Sequence, residues 1–263
     1  MLQRLQSCLQ RSEKFEALMA EPVSREAWSR LVALLNAYVS EGGNAFSNAG
    51  PLWKAENWSV EHSGLNISKE WSFPDRISRA MVKSMFQWSK QSDEMHRAFC
   101  ATMMWAGERV ANAPFIVKQI MSQPGLVVGE EVLKLKSEAS YGNFLSSPLS
   151  DLGPVLGTSL LNAVSTEECR VATIDPYAID WMWEYGQVSE SWMLDLSNFG
   201  ADDHARYSAW CKQALDRFRE SGHLPDHCDD HAFIGYLMST DRIHSLLGTR
   251  FSGWVGVADQ FHH

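Results

Sequence analysis

Apolar positions recur at three- and four-residue intervals along most of the chain, which is the periodicity of helices packed on one face. Over residues 25–40, Trp28, Leu31, Val32, Leu35, Tyr38 and Val39 share such a face, and Gly42-Gly43 follows as a stop. Residues 76–90 and 93–111 predict two further helices, and Pro114 opens another that runs to about Ser122, since proline is tolerated in a first helical turn. Residues 123–137 contain Pro124, Gly125 and Gly129 and read as a connection. Short helices are expected over 138–147 and 155–164, and a longer one from Pro176 to about Tyr185, closed by Gly186. The clearest stripe is Tyr207, Trp210, Cys211, Ala214, Leu215 and Phe218 within 203–221, closed by Gly222. A last helix falls over 229–238. Alternating strand patterns are scarce, and no internal repeat is visible. Residues 43–75, punctuated by Gly50-Pro51, Asn66 and Pro74 and carrying Trp53, Trp58 and Trp71, read as a packed loop region or a few short strands. The fold class expected is all-α, mainly helical, with residues 1–75 as a helical and partly irregular N-terminal extension and 76–263 as the core.

With 263 residues, 45% of them apolar, the chain can bury a sizeable core in one domain or in two lobes. No apolar run is long enough to span a bilayer, and Met1-Leu2-Gln3-Arg4-Leu5 continues into polar residues rather than a signal-peptide core. A cytoplasmic protein with no membrane partner is expected. The five cysteines (Cys8, Cys100, Cys169, Cys211, Cys228) are scattered and odd in number, as suits reduced thiols. The net charge of −9 argues against a protein that coats nucleic acid nonspecifically. The charge is uneven, however. Residues 69–136 carry ten Lys/Arg against seven Asp/Glu, and residues 175–263 carry six against fourteen. Arg76, Arg79, Lys83, Lys90, Arg97, Arg109 and Lys118 are candidates for a phosphate track, or simply a solvated surface.

The stretch 138–183 carries the candidate chemistry. It reads as a helix, then Leu149-Ser150-Asp151-Leu152-Gly153-Pro154, then the helix Val155-Leu156-Gly157-Thr158-Ser159-Leu160-Leu161, then Val171-Ala172-Thr173-Ile174-Asp175-Pro176-Tyr177. A glycine turn between two helices lets backbone approach another molecule. The free N–H groups from Val155 onward, with the helix dipole behind them, suit a phosphate. Asp175, directly before Pro176, is placed as the N-cap of the next helix. An N-cap aspartate needs no further role. A carboxylate fixed below a sugar, however, stabilises the oxocarbenium character that develops when an N-glycosidic bond breaks, and can orient the attacking water.

Leu-x-x-Leu-Gly-Pro, then Leu-Gly-Thr-x-Leu-Leu, then Ile-Asp after a short connection resembles the helix-hairpin-helix DNA glycosylase superfamily, and most of all its 8-oxoguanine-glycosylase-like branch. Phe99-Cys100-Ala101-Thr102-Met103-Met104-Trp105-Ala106-Gly107 resembles that branch's early Trp-Gly helix, and His204-Ala205-Arg206-Tyr207 through Ser221-Gly222 its late helix. The likeness covers roughly residues 76–240. It implies a helix-hairpin-helix glycosylase fold over 76–263, with Asp175 as the catalytic carboxylate. It also implies DNA contacts at Leu152, Gly153, Val155, Gly157 and Thr158, and base-pocket aromatics at Trp105 and Trp210. The family hairpin reads Leu-Pro-Gly-x-Gly, and here Ser150 and Asp151 replace its proline and first glycine. Bifunctional members carry a lysine after Gly-Thr, and here Ser159 stands in that position, near the sugar. Without an amine there is no Schiff base and no lysine-driven strand cleavage.

The resemblance thus implies a monofunctional DNA glycosylase that acts on a flipped modified base in double-stranded DNA, needs no cofactor or metal, and leaves an abasic site. The branch is similar to prokaryotic glycosylases that attack hypermodified phage DNA, which points to glucosylated hydroxymethylcytosine and antiviral defence. Oxidised guanine is the alternative substrate. Two other readings stay open. One is a non-catalytic helix-hairpin-helix DNA-binding module. The other is a metal enzyme built on His223, His227, Cys228 and His231, of which His227 and His231 have helical ligand spacing.

Overall fold

A computed structural model describes residues 23–48, 50, 57–65, 73–107, 110, 112–165, 171–185, 196, 199–222 and 224–246. Among these there is no strand, and most lie in helices, so the protein is mainly α-helical. No helix among them is long and apolar enough to cross a membrane. The chain divides into two compact units, one formed by Met1–Gly43 with Ile174–Val257 and the other by Asn44–Thr173 with Ala258–His263. The divisions fall at 43/44 and 173/174.

The first unit is built on α1 (Arg25–Ser40), α10 (Pro176–Tyr185), α11 (Ala201–Glu220) and α12 (His231–Leu246). Helix α1 begins where Ser24 Oγ accepts the Ala27 N–H at 3.1 Å, a cap that stabilises by about 1 kcal/mol. It buries Ala27, Leu31, Leu34, Leu35 and Tyr38. Its end is a paired glycine stop. Gly42 and Gly43 take φ of 100° and 60°, and their N–H groups reach back to Val39 and Tyr38 carbonyls at 3.1 and 3.0 Å. That is the two-bond closure that left-handed residues after a helix make possible. Helix α12 packs against α1, α10 and α11 and is buried along most of its length. It runs eight residues past the end expected from the sequence.

The second unit comprises α2 (Ala45–Asn48), α3 (Val60–Ser63), α4 (Arg79–Trp88), α5 (Ser92–Ala106), α6 (Ala113–Met121), α7 (Val128–Ser137), α8 (Tyr141–Leu145) and α9 (Gly153–Val164). The described part of 43–75 therefore holds two short helices; Trp53 and Trp71 lie outside the described residues. Helix α9 packs against α4, α5, α7 and α8. Every residue from Leu156 to Val164 is buried, as for a helix surrounded on all sides.

Helix α7 occupies part of the stretch read from the sequence as a connection. Gly129 does not break it. The glycine sits in its first turn against α5, where a Cβ would fall 2.0 Å from the Ser92 carbonyl oxygen. The glycine allows two helices to meet backbone to backbone. Val128, Val132 and Leu135 form the buried stripe behind it. Lys136 closes the far end of α4, its Nζ donating to the Phe86 and Ser89 carbonyls at 2.5 and 2.9 Å.

Candidate active site

Asp175 stands where the sequence placed it, immediately before α10. Its Oδ1 accepts the Tyr177 N–H at 2.8 Å, and its carbonyl accepts the Ile179 N–H at 3.1 Å. Pro176, the first helical residue, has no N–H to satisfy. The side chain is 2% exposed. A cap of this kind holds the carboxylate in one orientation.

The first unit brings Tyr207 of α11 into electrostatic reach of Asp175, with Cys211 beside it on the same helix. Burial pushes the Tyr207 phenol well above its ordinary range, and the Cys211 thiol and the Asp175 charge push it the same way. Tyr207 is fully buried, and its Oη has no hydrogen-bond partner among the described residues. Trp210, on the same helix, is 5% exposed. Its ring is buried in the interior of the unit. Trp105, in the second unit, is half-buried and keeps part of its ring accessible.

The hairpin takes the form of α8, a single 3-10 turn over Ser150–Leu152, and α9. Gly153 has φ +73° with nothing near the position of a Cβ. It is the left-handed residue that admits the chain to α9. Asp151 is exposed and receives the Gln123 side-chain amide at 3.4 Å. Gly153, Pro154 and Val155 are partly exposed.

The rest of the expected DNA-contact set lies inside. Leu152 is 2% exposed and Thr158 fully buried. The Thr158 hydroxyl donates to the Pro154 carbonyl at 2.7 Å. Gly157 faces the Phe144 ring. Leu152 in the 3-10 turn and Gly157 and Thr158 in α9 all pack inward. Of the expected contact residues, Gly153 and Val155 are the partly exposed ones. Ser159 is 7% exposed, and its hydroxyl donates to the Val155 carbonyl one turn earlier at 2.8 Å.

The candidate phosphate track also thins. Arg79 is 6% exposed, with its guanidinium 4.3 Å from the centre of the Phe46 ring. It is a core residue and not part of a basic surface. Arg109 lies outside the described residues. Among the described residues no group of three or more His, Cys, Asp or Glu side chains is placed to hold a metal. His223 and the His227 side chain lie outside them, and the Cys228 Sγ donates to Tyr38 Oη at 3.6 Å.

Sequence reasoning missed a second polar constellation in the first unit. Asp241 of α12, 3% exposed, accepts Arg30 Nε and Nη2 at 2.9 and 2.6 Å and the Trp181 indole N–H at 2.8 Å. The next residue, Arg242, pairs with Asp180 and Glu184 of α10. Both pairings bridge helices far apart in sequence. The only local signal is an acidic pair, Asp180 and Glu184, one turn apart on a helix of otherwise apolar character. Asn162 was missed too, although a lone amide in the run Leu160-Leu161-Asn162-Ala163-Val164 announces a buried hydrogen bond. No family model, no curated protein and no solved structure matches this chain.

Proposed function

We propose that the chain is a monofunctional DNA glycosylase of the helix-hairpin-helix kind, hydrolysing the N-glycosidic bond of a modified base and leaving an abasic site. The observation that carries the reading is Asp175. It is a carboxylate withdrawn from solvent, pinned through one oxygen by the Tyr177 N–H, on a segment that follows a glycine-turned helix pair. A fixed carboxylate of this kind stabilises a cationic sugar without reorganising at the moment of reaction. In the hairpin, Gly153 through Val155 supply partly exposed backbone at the start of a helix, where the dipole favours a phosphate. Ser159 offers no amine, and its hydroxyl is already engaged within α9, so the reaction ends at base release without strand cleavage. The substrate proposed is glucosylated hydroxymethylcytosine in phage DNA, with oxidised guanine as the alternative.

The test is base release from phage DNA carrying glucosylated hydroxymethylcytosine, beside unmodified DNA and an 8-oxoguanine duplex, with abasic sites counted by alkaline cleavage. Wild type generates abasic sites on one modified substrate without nicking before alkali, and Asp175→Asn generates none while still binding DNA. Abasic sites at equal rates in both proteins remove Asp175 from the chemistry. A second reading, a DNA-binding module without chemistry, is favoured by the same cap bond, since Asp175 already has a structural task. It predicts DNA binding with no abasic sites on any of the three substrates.

A further inference from the structure

Helices α10 and α12 meet through side chains that apolar packing alone would not require. Six successive residues of α10, Ala178 to Trp183, are buried, and α12 is buried along most of its length. Within that contact Asp180 pairs with Arg242, and the Trp181 indole N–H donates to Asp241 at 2.8 Å. Neighbours on one helix thus take neighbours on the other. Arg242 also reaches Glu184, one turn further along α10. Arg30 of α1 donates to Asp241 through Nε and Nη2 at 2.9 and 2.6 Å.

Burying such charges is costly, and well-packed apolar residues in place of a buried ion pair often leave stability unchanged or raise it. Nor is the cluster arranged for greatest stability, since Asp180 Oδ1 has no hydrogen-bond partner among the described residues. What the charges add is direction. Apolar attraction is non-directional, so two largely apolar helices can meet in more than one register. A polar pair inside that contact is satisfied in one register only.

The register of α10 bears on Asp175. That residue is tied to the helix twice, through Oδ1 to the Tyr177 N–H and through its carbonyl to the Ile179 N–H. A slip of one turn along α12 would displace the start of α10 by about 5.4 Å, and a misplacement of about 1 Å can cost about a hundredfold in rate.

We propose that Arg242 is a positioning residue: by pairing with Asp180 and Glu184 beside the Trp181–Asp241 bond, it holds α10 in one register on α12 and so sets where Asp175 is presented. The role rests on the glycosylase reading. Every residue in it belongs to the first unit.

Asp180→Leu combined with Arg242→Leu removes the lock and leaves apolar packing in its place. Three quantities are measured on the full chain: thermal midpoint, single-turnover base release with the dissociation constant for an abasic-site duplex, and the Trp181 indole N–H signal in a proton–nitrogen correlation spectrum. Expected are a midpoint close to that of wild type, unchanged DNA affinity, a rate lower by about tenfold to a hundredfold, and a Trp181 signal that splits or broadens as α10 samples a second register. Arg242→Lys keeps the charge but not the fork that spans both carboxylates. It gives the same pattern in smaller measure and serves if the double variant does not fold.

A wild-type rate in both variants overturns the proposal and leaves the glycosylase reading intact, as does a lower rate with an unchanged Trp181 signal. If wild type itself releases no base, the glycosylase reading falls. A split Trp181 signal in the variants then leaves the register lock standing, and an unchanged one removes it as well.

Discussion

The Phe144 ring fills the space where a side chain at position 157 would begin: a Cβ built on Gly157 falls 2.2 Å from Phe144 Cζ. The ring is fully buried and stacks on Tyr141 with centroids 5.7 Å apart, so it has nowhere easy to go. Gly157→Ala should therefore destabilise the protein by about 1–3 kcal/mol, the cost of overpacking a core. Combining it with Phe144→Leu should recover part of the loss, because two residues in contact couple. Urea unfolding of the four proteins of this cycle tests it, and simple additivity would show that the glycine is there for another reason.

Arg242 binds two carboxylates of one helix, Asp180 and Glu184. Both it and Asp180 are about nine-tenths buried, and Glu184 is half-exposed. Asp180 Oδ1 has no hydrogen-bond partner among the described residues. Arg242→Leu strands that buried charge and should cost about 3–5 kcal/mol. Arg242→Leu with Asp180→Leu should cost much less, since an apolar pair often replaces a buried ion pair without loss. Arg30→Ala should cost less than Arg242→Leu, because Asp241 keeps the Trp181 N–H and the Arg30 side chain is already 45% exposed. Denaturant midpoints at neutral pH rank the three variants, and a harmless Arg242→Leu would refute the account.

Two imidazoles should make the fold sensitive to mild acid. Burial lowers His96 from its ordinary value of 6.5, with Asp93 opposing. Burial likewise lowers His244, opposed by Asp241 and Glu41. Below the ordinary value and above the lowered one, the unfolded chain binds more protons than the native chain, so stability rises with pH across that window. The contribution is complete above about pH 6.5 and is lost as pH falls through the lowered native values. His96→Gln should flatten the decline in thermal midpoint below neutrality. An unchanged slope in that variant would assign the acid sensitivity elsewhere.

Burial pushes the Cys100 and Cys211 thiols up to about 12, and the thiolate is the reactive form. Iodoacetamide at about pH 8 should leave both unmodified in the native protein and modify them only in denaturant. Mass spectrometry of tryptic peptides reads the outcome. Rapid native labelling of Cys211 would mean that the interior beside Tyr207 is open to solvent.

Helices with a clean apolar stripe and a punctuated end were legible from sequence. The end of α1 and the start of α10 follow from Gly42-Gly43 and Pro176, because capping and stopping are local chemistry. Helix α7 was not legible. Its Gly129 looks like a breaker and is in fact a point of close backbone approach to Ser92, a fact that belongs to another helix. At the candidate site, the N-cap position of Asp175 was readable from Asp-Pro alone. The burial of Gly157 and Thr158 was not, since a helix surrounded on every side shows no polar face to betray its orientation, whereas that of Trp210 was readable from the apolar stripe of α11. Asn162 announces a buried hydrogen bond but not its partners, and Asp241 was not readable, because its partners lie on other helices.

The division of the chain also sets an order in time. As the ribosome delivers it, α1 emerges well before α10 and α12, against which it packs, since these come only after the long run Asn44–Thr173 has been made. That run has nearly all of its own unit already in hand. Its helices can close on one another while α1 still trails with Leu31, Leu34 and Leu35 uncovered. Domains generally fold as units during synthesis, and joining distant segments adds a loop-closure cost that local contacts do not bear. A nascent chain released early would thus be a finished second unit tethered to a sticky, partnerless helix. The unit that holds Asp175 can be completed only when α12 has left the exit tunnel.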